Sequence, residues 1–167
     1  LKDCDQIEDP GMRALSELPN LNRLEMSGAA RVTDAGLAHL ARVTHLTELR
    51  LVGSGITDVG FGHVAELKEL RVLRLENSPQ PDGSGLRHLS RLPGLHTLGL
   101  SRCRWVNDAR LEHIVRFEQL TALELRNCSI SDEGVAQLRR LNRLRTLTLG
   151  PSLQITSVGL RHLAELG

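Results

Sequence analysis

Pairs of aliphatic residues separated by one polar residue recur at regular intervals along the chain. Leu123 and Leu125 flank a glutamate, which is the alternation expected of a strand with one buried face. Three more aliphatic residues follow at three-residue spacing, typical of the apolar stripe of a short helix: Val135, Leu138 and Leu141. The pattern starts again at Leu144. Residues 120–143 therefore predict one strand-and-helix unit.

This unit occurs six times in the same register. The leading leucines are 24 or 25 residues apart, at Leu21, Leu46, Leu70, Leu95, Leu120 and Leu144. The strand pairs are Leu24/Met26, Leu49/Leu51, Leu73/Leu75, Leu98/Leu100, Leu123/Leu125 and Leu147/Leu149. A second motif follows each strand: VTDAGL (32–37), ITDVGF (56–61), PDGSGL (81–86), VNDARL (106–111), ISDEGV (130–135) and ITSVGL (155–160), with IEDPGM (7–12) before them. PDGSGL is the most divergent copy. Such a period predicts a repeat architecture.

These residues resemble the leucine-rich repeat family. The strand template L-x-x-L-x-L-x-x-(N/C/S), followed by I-T-D-x-G-L-x-x-L, is similar to the cysteine-containing, ribonuclease-inhibitor-like branch seen in F-box-associated repeat domains. The resemblance implies a role as substrate receptor of a ubiquitin ligase, although residues 1–167 depart from that pattern in containing no F-box.

The predicted fold is α/β, a right-handed leucine-rich repeat solenoid with a concave parallel sheet and convex short helices. One repeat buries about seven aliphatic side chains, which does not offset the entropy of ordering its backbone. Stacked repeats share a core and can fold together. We predict a single domain over 1–167, with a partial repeat at 1–20 and six repeats starting at the leading leucines.

Composition limits the classes of partner. The net charge of +1 gives no general attraction to nucleic acid or to a membrane surface. A local basic run, Arg139 to Arg145, lacks the neighbouring aromatic residues that RNA binding favours, so we expect no nucleic acid partner. No apolar run is long enough to span a bilayer.

The three cysteines occupy one position of the repeat. Cys4, Cys103 and Cys128 align with small residues elsewhere, namely Ala29, Ser54, Ser78 and Ser152, which favours packing over chemistry. An odd number of cysteines is typical of an intracellular, reducing compartment, although the organelle is not indicated.

Neither end of the sequence carries a polar capping unit of the kind that repeat proteins need. Two explanations stay open: the chain is a fragment of a longer array, or another chain or domain covers the uncapped ends.

The concave face is the expected binding surface. Arg23/Glu48 and Glu25/Arg50 are expected to face each other across strands and to neutralise each other in part. From the third repeat onward, small residues flank the charged side chains and leave room for a partner. Trp105, the only tryptophan, either anchors an interface or folds back over its own loop. The predicted partner-binding residues are Arg50, Val72, Arg74, Glu76, Arg102, Trp105, Glu124 and Arg126.

No motif for catalysis, a cofactor or a metal is present. The five histidines at one repeat position, His39, His63, His88, His113 and His162, lie too far apart for one zinc ion, because neighbouring repeats place them about 10 Å apart. We therefore predict a non-enzymatic protein–protein interaction module. The alternatives are a ubiquitin ligase substrate receptor and a constitutive subunit of a large multiprotein or ribonucleoprotein assembly.

Overall fold

The computed structural model describes residues 1–78, 82–151 and 154–164. Six strands form one parallel sheet in chain order: β1 (Arg23–Ser27), β2 (Glu48–Val52), β3 (Val72–Glu76), β4 (Thr97–Gly99), β5 (Ala122–Leu125) and β6 (Thr146–Leu149). The helices are α1 (Asp9–Ser16), α2 (Asp34–Leu40), α3 (Asp58–Val64), α4 (Asp108–Ile114), α5 (Asp132–Gln137) and α6 (Ser157–Leu163). The predicted α/β solenoid is confirmed.

The strands pair in the register that the repeat predicts. Leu24 lies opposite Leu49, and Leu49 lies opposite Leu73, so the leucines form continuous rows across the sheet. These side chains are buried between the sheet and the helices. In the last repeat Leu147 is only half-buried, since no further described repeat packs against it.

Backbone hydrogen bonds join each repeat to the next just before the strands. The carbonyl oxygen of Thr47 accepts from the amides of Arg71 and Val72, at 2.8 and 3.1 Å. The carbonyl of His96 accepts from Thr121 and Ala122 in the same way, at 2.9 and 3.0 Å. Each of these carbonyls is satisfied only when the next repeat is in place, as expected of repeats that depend on their neighbours.

Each residue of the Thr-Asp-x-Gly motif has a physical role. The Thr57 hydroxyl caps α3 by accepting from the amide of Val59. The Asp34 carboxylate, from the preceding repeat, accepts from the Thr57 amide at 2.8 Å and from its hydroxyl at 2.6 Å. A Cβ atom on Gly60 would overlap that carboxylate, so the glycine leaves space for it. The motif is thus a contact between consecutive repeats.

The divergent copy departs from this pattern. A 3₁₀ helix, Ser84–Arg91, replaces the α-helix, and Gly83 stands where most other copies have aspartate. Arg110 then occupies the glycine position of the next motif, because no carboxylate has to fit there. Its Nε is buried and has no hydrogen-bond partner among the described residues.

Candidate protein-binding face

The exposed face of the sheet carries a network of ion pairs on its first three strands. Arg23 of β1 reaches Glu48 of β2 at 3.1 Å, and Arg50 of β2 contacts Glu25 of β1. Both predicted pairs are therefore confirmed. The Arg50 hydrogen bond is the main cause that lowers the pKa of Glu25, so that carboxylate stays charged at neutral pH.

Three of the charged groups from the third repeat onward are engaged in ion pairs within the sheet, which the sequence did not indicate. Glu76 accepts from Arg50 at 2.8 Å, and Arg74 donates to Glu124 at 2.8 Å. Arg50 and Arg74 lie directly opposite each other in the sheet. Because their like charges repel, the two guanidinium groups turn toward different glutamates. These hydrogen bonds raise the pKa of both guanidinium groups.

Arg74 and Glu124 meet although β4 lies between their strands. The intervening residue on β4 is Gly99, which pairs with Arg74 on one side and with Glu124 on the other. A Cβ atom on Gly99 would lie 2.9 Å from Arg74 Cγ and 3.4 Å from a Glu124 carboxylate oxygen. The missing side chain therefore provides the path for this ion pair.

Arg102 and Arg126 differ from the other arginines of the face. Both side chains are exposed, and among the described residues neither guanidinium group forms an ion pair or a hydrogen bond. Together with the network they line an open depression of about 670 Å³. Ser101, Asn127, Thr148 and Pro151, which the sequence reasoning did not select, complete its rim. Val72 is half-buried on β3, opposite Thr97.

Trp105 is anchored by residues of the two preceding repeats. Its indole Nε1 donates to the carbonyl oxygen of Ser78 at 2.8 Å, and its ring meets Phe61 edge-on at a centroid distance of 6.2 Å. The ring also covers Gly83, where a Cβ atom would lie 2.8 Å from it. The side chain therefore folds over the loop of the neighbouring repeat rather than over its own, and remains half-exposed.

The residue two positions after each strand pair has a left-handed backbone in six successive repeats. The residues there are Asp3, Gly28, Gly53, Asn77, Arg102 and Asn127, with φ values between 52° and 72°. Glycine, asparagine and aspartate tolerate this region, whereas a long side chain strains it. Arg102 is the exception. The alignment alone contained this signal, because the other five are residues that favour such a turn.

The cysteine position faces the core and forms hydrogen bonds between repeats. Cys128 donates its thiol to the carbonyl oxygen of Leu100 at 3.0 Å, and Ser54 and Ser78 share a hydrogen bond of 3.1 Å. Cys4, Cys103 and Cys128 are all free thiols. Burial raises the pKa of Cys103 to about 11 and that of Cys128 to about 12. Ser152 lies outside the described residues.

Other candidate chemistry is limited. Within the described ranges, no group of three histidine, cysteine, aspartate or glutamate side chains could hold a metal ion. No helix in the described part of the chain is both long and apolar enough to cross a membrane.

Comparison with known proteins agrees with the repeat. Residues 44–61 and 119–138 match the family model described as Leucine Rich repeat. A Caenorhabditis elegans protein named "Putative RNA-binding protein EEED8.10" is 24% identical over 166 residues, which cover 94% of this chain and 22% of that protein. The chain thus spans about a fifth of the length of this relative.

Two solved structures share the fold. The yeast Rad7 and Elc1 complex superposes with a TM-score of 0.74 at 20% identity, over 96% of this chain and 44% of the other. Internalin C2 from Listeria monocytogenes superposes with a TM-score of 0.61 at 24% identity, over 92% of this chain and 61% of the other. Together with the family match, these likenesses support a leucine-rich repeat fold.

Proposed function

We propose that this leucine-rich repeat protein is a non-enzymatic module that binds another protein on the exposed face of its sheet. The observation that carries the proposal is the fixed row of charged side chains on that face, held by ion pairs on β1, β2, β3 and β5. Such a surface recognises a partner by shape and charge. The internal pairing also leaves Arg102 and Arg126 available.

The row is ordered before any partner arrives. Arg50 donates from both Nε and Nη2 to one oxygen of Glu76, at 3.0 and 2.8 Å. Arg74 contacts both Glu124 and Glu48, at 2.8 and 3.7 Å. Immobilising a free side chain on binding costs about 0.5–1.5 kcal/mol, and this cost is reduced where the side chain is already held.

The proposed contact residues divide into two groups. Arg50, Arg74, Glu76 and Glu124 form the framework, because each is engaged within the sheet. Val72, Arg102 and Arg126 offer apolar area or unpaired charge, with Trp105 at the margin of the face.

Two finer roles are proposed as alternatives. The similar yeast structure is a complex of Rad7 with Elc1, which supports a protein partner for the similar fold here. A ubiquitin ligase substrate receptor and a constitutive assembly subunit both agree with such a partner. Native co-purification separates them, since a subunit yields a fixed stoichiometric complex and a receptor yields exchangeable partners. The ribonuclease-inhibitor-like, F-box-associated branch stays a prediction.

The name of the nematode relative raises RNA as another partner. The exposed sheet face of this chain carries no aromatic residue, because the only aromatics are Trp105 in a loop and the buried Phe61 and Phe117. Stacking of bases on aromatic side chains supplies much of the affinity for single-stranded RNA. The face therefore favours a protein.

Site-specific photo-crosslinking tests the proposal. A photoreactive amino acid replaces Val72 on the sheet face or, as the matched control, Val59, whose side chain is 64% exposed on α3. In cells that make the protein, we expect protein adducts from position 72 and few from position 59. Adducts concentrated at position 59, or adducts to RNA from position 72, would contradict the proposal.

A further inference from the structure

Two arginines of neighbouring repeats stand side by side without a carboxylate. The Arg102 amide donates to the Arg126 carbonyl oxygen at 2.7 Å, so the two backbones are in direct contact. Both side chains are exposed and line the same depression. Elsewhere on the face, each arginine that lines the depression is paired with a glutamate.

The neighbouring carboxylates do not neutralise this pair. Glu124 is two residues before Arg126 on the same chain segment, yet its oxygen accepts from Arg74 at 2.8 Å. Glu76 is likewise engaged by Arg50. Since these acids already have partners, Arg102 and Arg126 present two guanidinium groups with unused donors.

Arg102 has a backbone conformation that arginine rarely adopts. Its φ is 58°, while glycine, asparagine or aspartate occupies the equivalent position in the five other repeats. A non-glycine residue in this region is disfavoured, and strained residues cluster at functional sites. Among the described residues, the guanidinium group of Arg102 forms no hydrogen bond or ion pair that would offset the unfavourable backbone conformation.

We infer that Arg102 and Arg126 together bind the carboxylates of an acidic, extended segment of the protein partner; this rests on the proposed function and adds its chemical class. A guanidinium group matches a carboxylate through paired N–H donors. Two such groups in adjacent repeats bind two acidic side chains of one segment. Their position beside the ion-pair network gives the segment a defined place on the face.

A nucleic acid fits this site less well. A continuous phosphate backbone would run from the arginine pair onto the part of the depression that holds Glu25, Glu48, Glu76 and Glu124. Like charges oppose that path, and no aromatic residue on the face offers stacking. Isolated carboxylates on a peptide need only the two arginines.

Arginine side-chain NMR spectra recorded during peptide titrations test the inference. The probes are a short oligoglutamate peptide, its oligoglutamine counterpart and a short oligouridylate. We expect the oligoglutamate to shift the Nε–Hε signals of Arg102 and Arg126, and the oligoglutamine to shift neither. Shifts confined to Arg139–Arg145, equal or larger shifts with oligouridylate, or no shifts at the pair would overturn the inference.

Three variants give the affinities. Arg102→Asn inserts a residue that the same position holds in two other repeats, so it is expected to fold, and Arg126→Gln removes the second guanidinium. We expect each to weaken oligoglutamate binding about tenfold, the size of one charge-assisted hydrogen bond. Arg87→Gln, at an exposed position on the helical side, is the control and leaves binding unchanged. Unchanged binding in both pair variants contradicts the inference. The photo-crosslinking experiment, repeated in the double variant that carries both Arg102→Asn and Arg126→Gln, separates the two proposals. If protein adducts at position 72 persist there and oligoglutamate binds no more tightly than oligoglutamine, only the inference fails and the protein-binding face remains.

Discussion

Arg74 of β3 and Glu124 of β5 form an ion pair of 2.8 Å across the intervening strand, over the bare backbone of Gly99. The pair connects the charged rows of the early repeats with the fifth strand. It also fixes Glu124, which would otherwise be free to neutralise Arg126.

A double-mutant cycle on Arg74→Gln and Glu124→Gln measures this relationship. We expect a coupling free energy of about 0.5–1 kcal/mol, because the two side chains are 27% and 28% exposed and solvent still screens them. In the Gly99→Val background the coupling is expected to fall close to zero, since the new side chain occupies the path. Urea unfolding gives each free energy, and a coupling that Gly99→Val leaves unchanged would show that the pair does not need the gap.

Arg102 is predicted to reduce stability. Replacing it with glycine relieves the left-handed strain and is expected to raise the free energy of unfolding by about 1 kcal/mol. Arg102→Ala is the control: it also removes the guanidinium but keeps a side chain at positive φ, so we expect little gain. Equal stability of the two variants in urea unfolding would argue against backbone strain at this position.

The effect of a Gly→Ala substitution in a helix is predicted to depend on whether a side chain of the preceding repeat packs against that glycine. A Cβ atom on Gly134 would overlap the Asp108 carboxylate and lie 2.8 Å from Ile130 Cγ2, so Gly134→Ala is expected to destabilise by about 1–3 kcal/mol. Gly62 has no atom within 4 Å of the same position, and Gly62→Ala is expected to stabilise α3 by about 0.5–1 kcal/mol.

A double-mutant cycle separates the steric clash between the Cβ atom added by Gly134→Ala and the Asp108 carboxylate from the effect of the substitution on helix propensity. In an Asp108→Ala background, which already lacks the hydrogen bonds to Ser131, Gly134→Ala is expected to cost much less than in the unaltered protein. Thermal unfolding of the four variants completes the cycle. If the cost of Gly134→Ala were the same in both backgrounds, the carboxylate would not be its cause.

The buried thiols are predicted to react slowly. Because burial raises the pKa of Cys103 to about 11 and that of Cys128 to about 12, almost no thiolate is present at pH 8. We expect iodoacetamide to modify both residues far more slowly in the folded protein than in urea, as followed by peptide mass spectrometry. Modification of folded Cys103 at the rate of a free cysteine would contradict the assigned environment.

The contact between the last two helices predicts a dependence of stability on pH. The Thr156 hydroxyl donates to Asp132 at 2.6 Å, which is the main cause that lowers the pKa of this carboxyl below its ordinary value. The unfolded chain therefore binds the proton at higher pH than the folded chain does. The stabilisation is present above the unfolded pKa near 4 and is lost as the pH falls through the folded value.

Thr156→Val removes the donor and is expected to flatten this acid limb of the stability curve, whereas Thr156→Ser preserves it. Urea unfolding across the acid range gives the curves, and NMR titration of Asp132 reports its pKa directly. A pKa that does not rise in Thr156→Val would remove the hydroxyl as the cause.

Local periodicity was sufficient to predict the strands, their register and the core. Leu49 and Leu73 are buried and opposed because each repeat places an identical pair at the same phase, and a one-residue shift would turn both pairs toward water. The most divergent motif, PDGSGL, coincides with the start of the 3₁₀ helix, a difference in helix type that the pattern did not predict. The pairs Arg23/Glu48 and Glu25/Arg50 followed from strand adjacency alone.

The pairing of Arg74 with Glu124 could not be predicted in this way. Their strands are not neighbours, and the contact depends on the length of the arginine side chain and on the space left by Gly99. The contact of Trp105 with Ser78 likewise depends on where two loops meet. A repeated sequence by itself determined the stacking, because burial of its leucines acts equally in every repeat. Only the tertiary structure decided which charged and aromatic side chains meet, because those contacts depend on empty space and reach between different repeats.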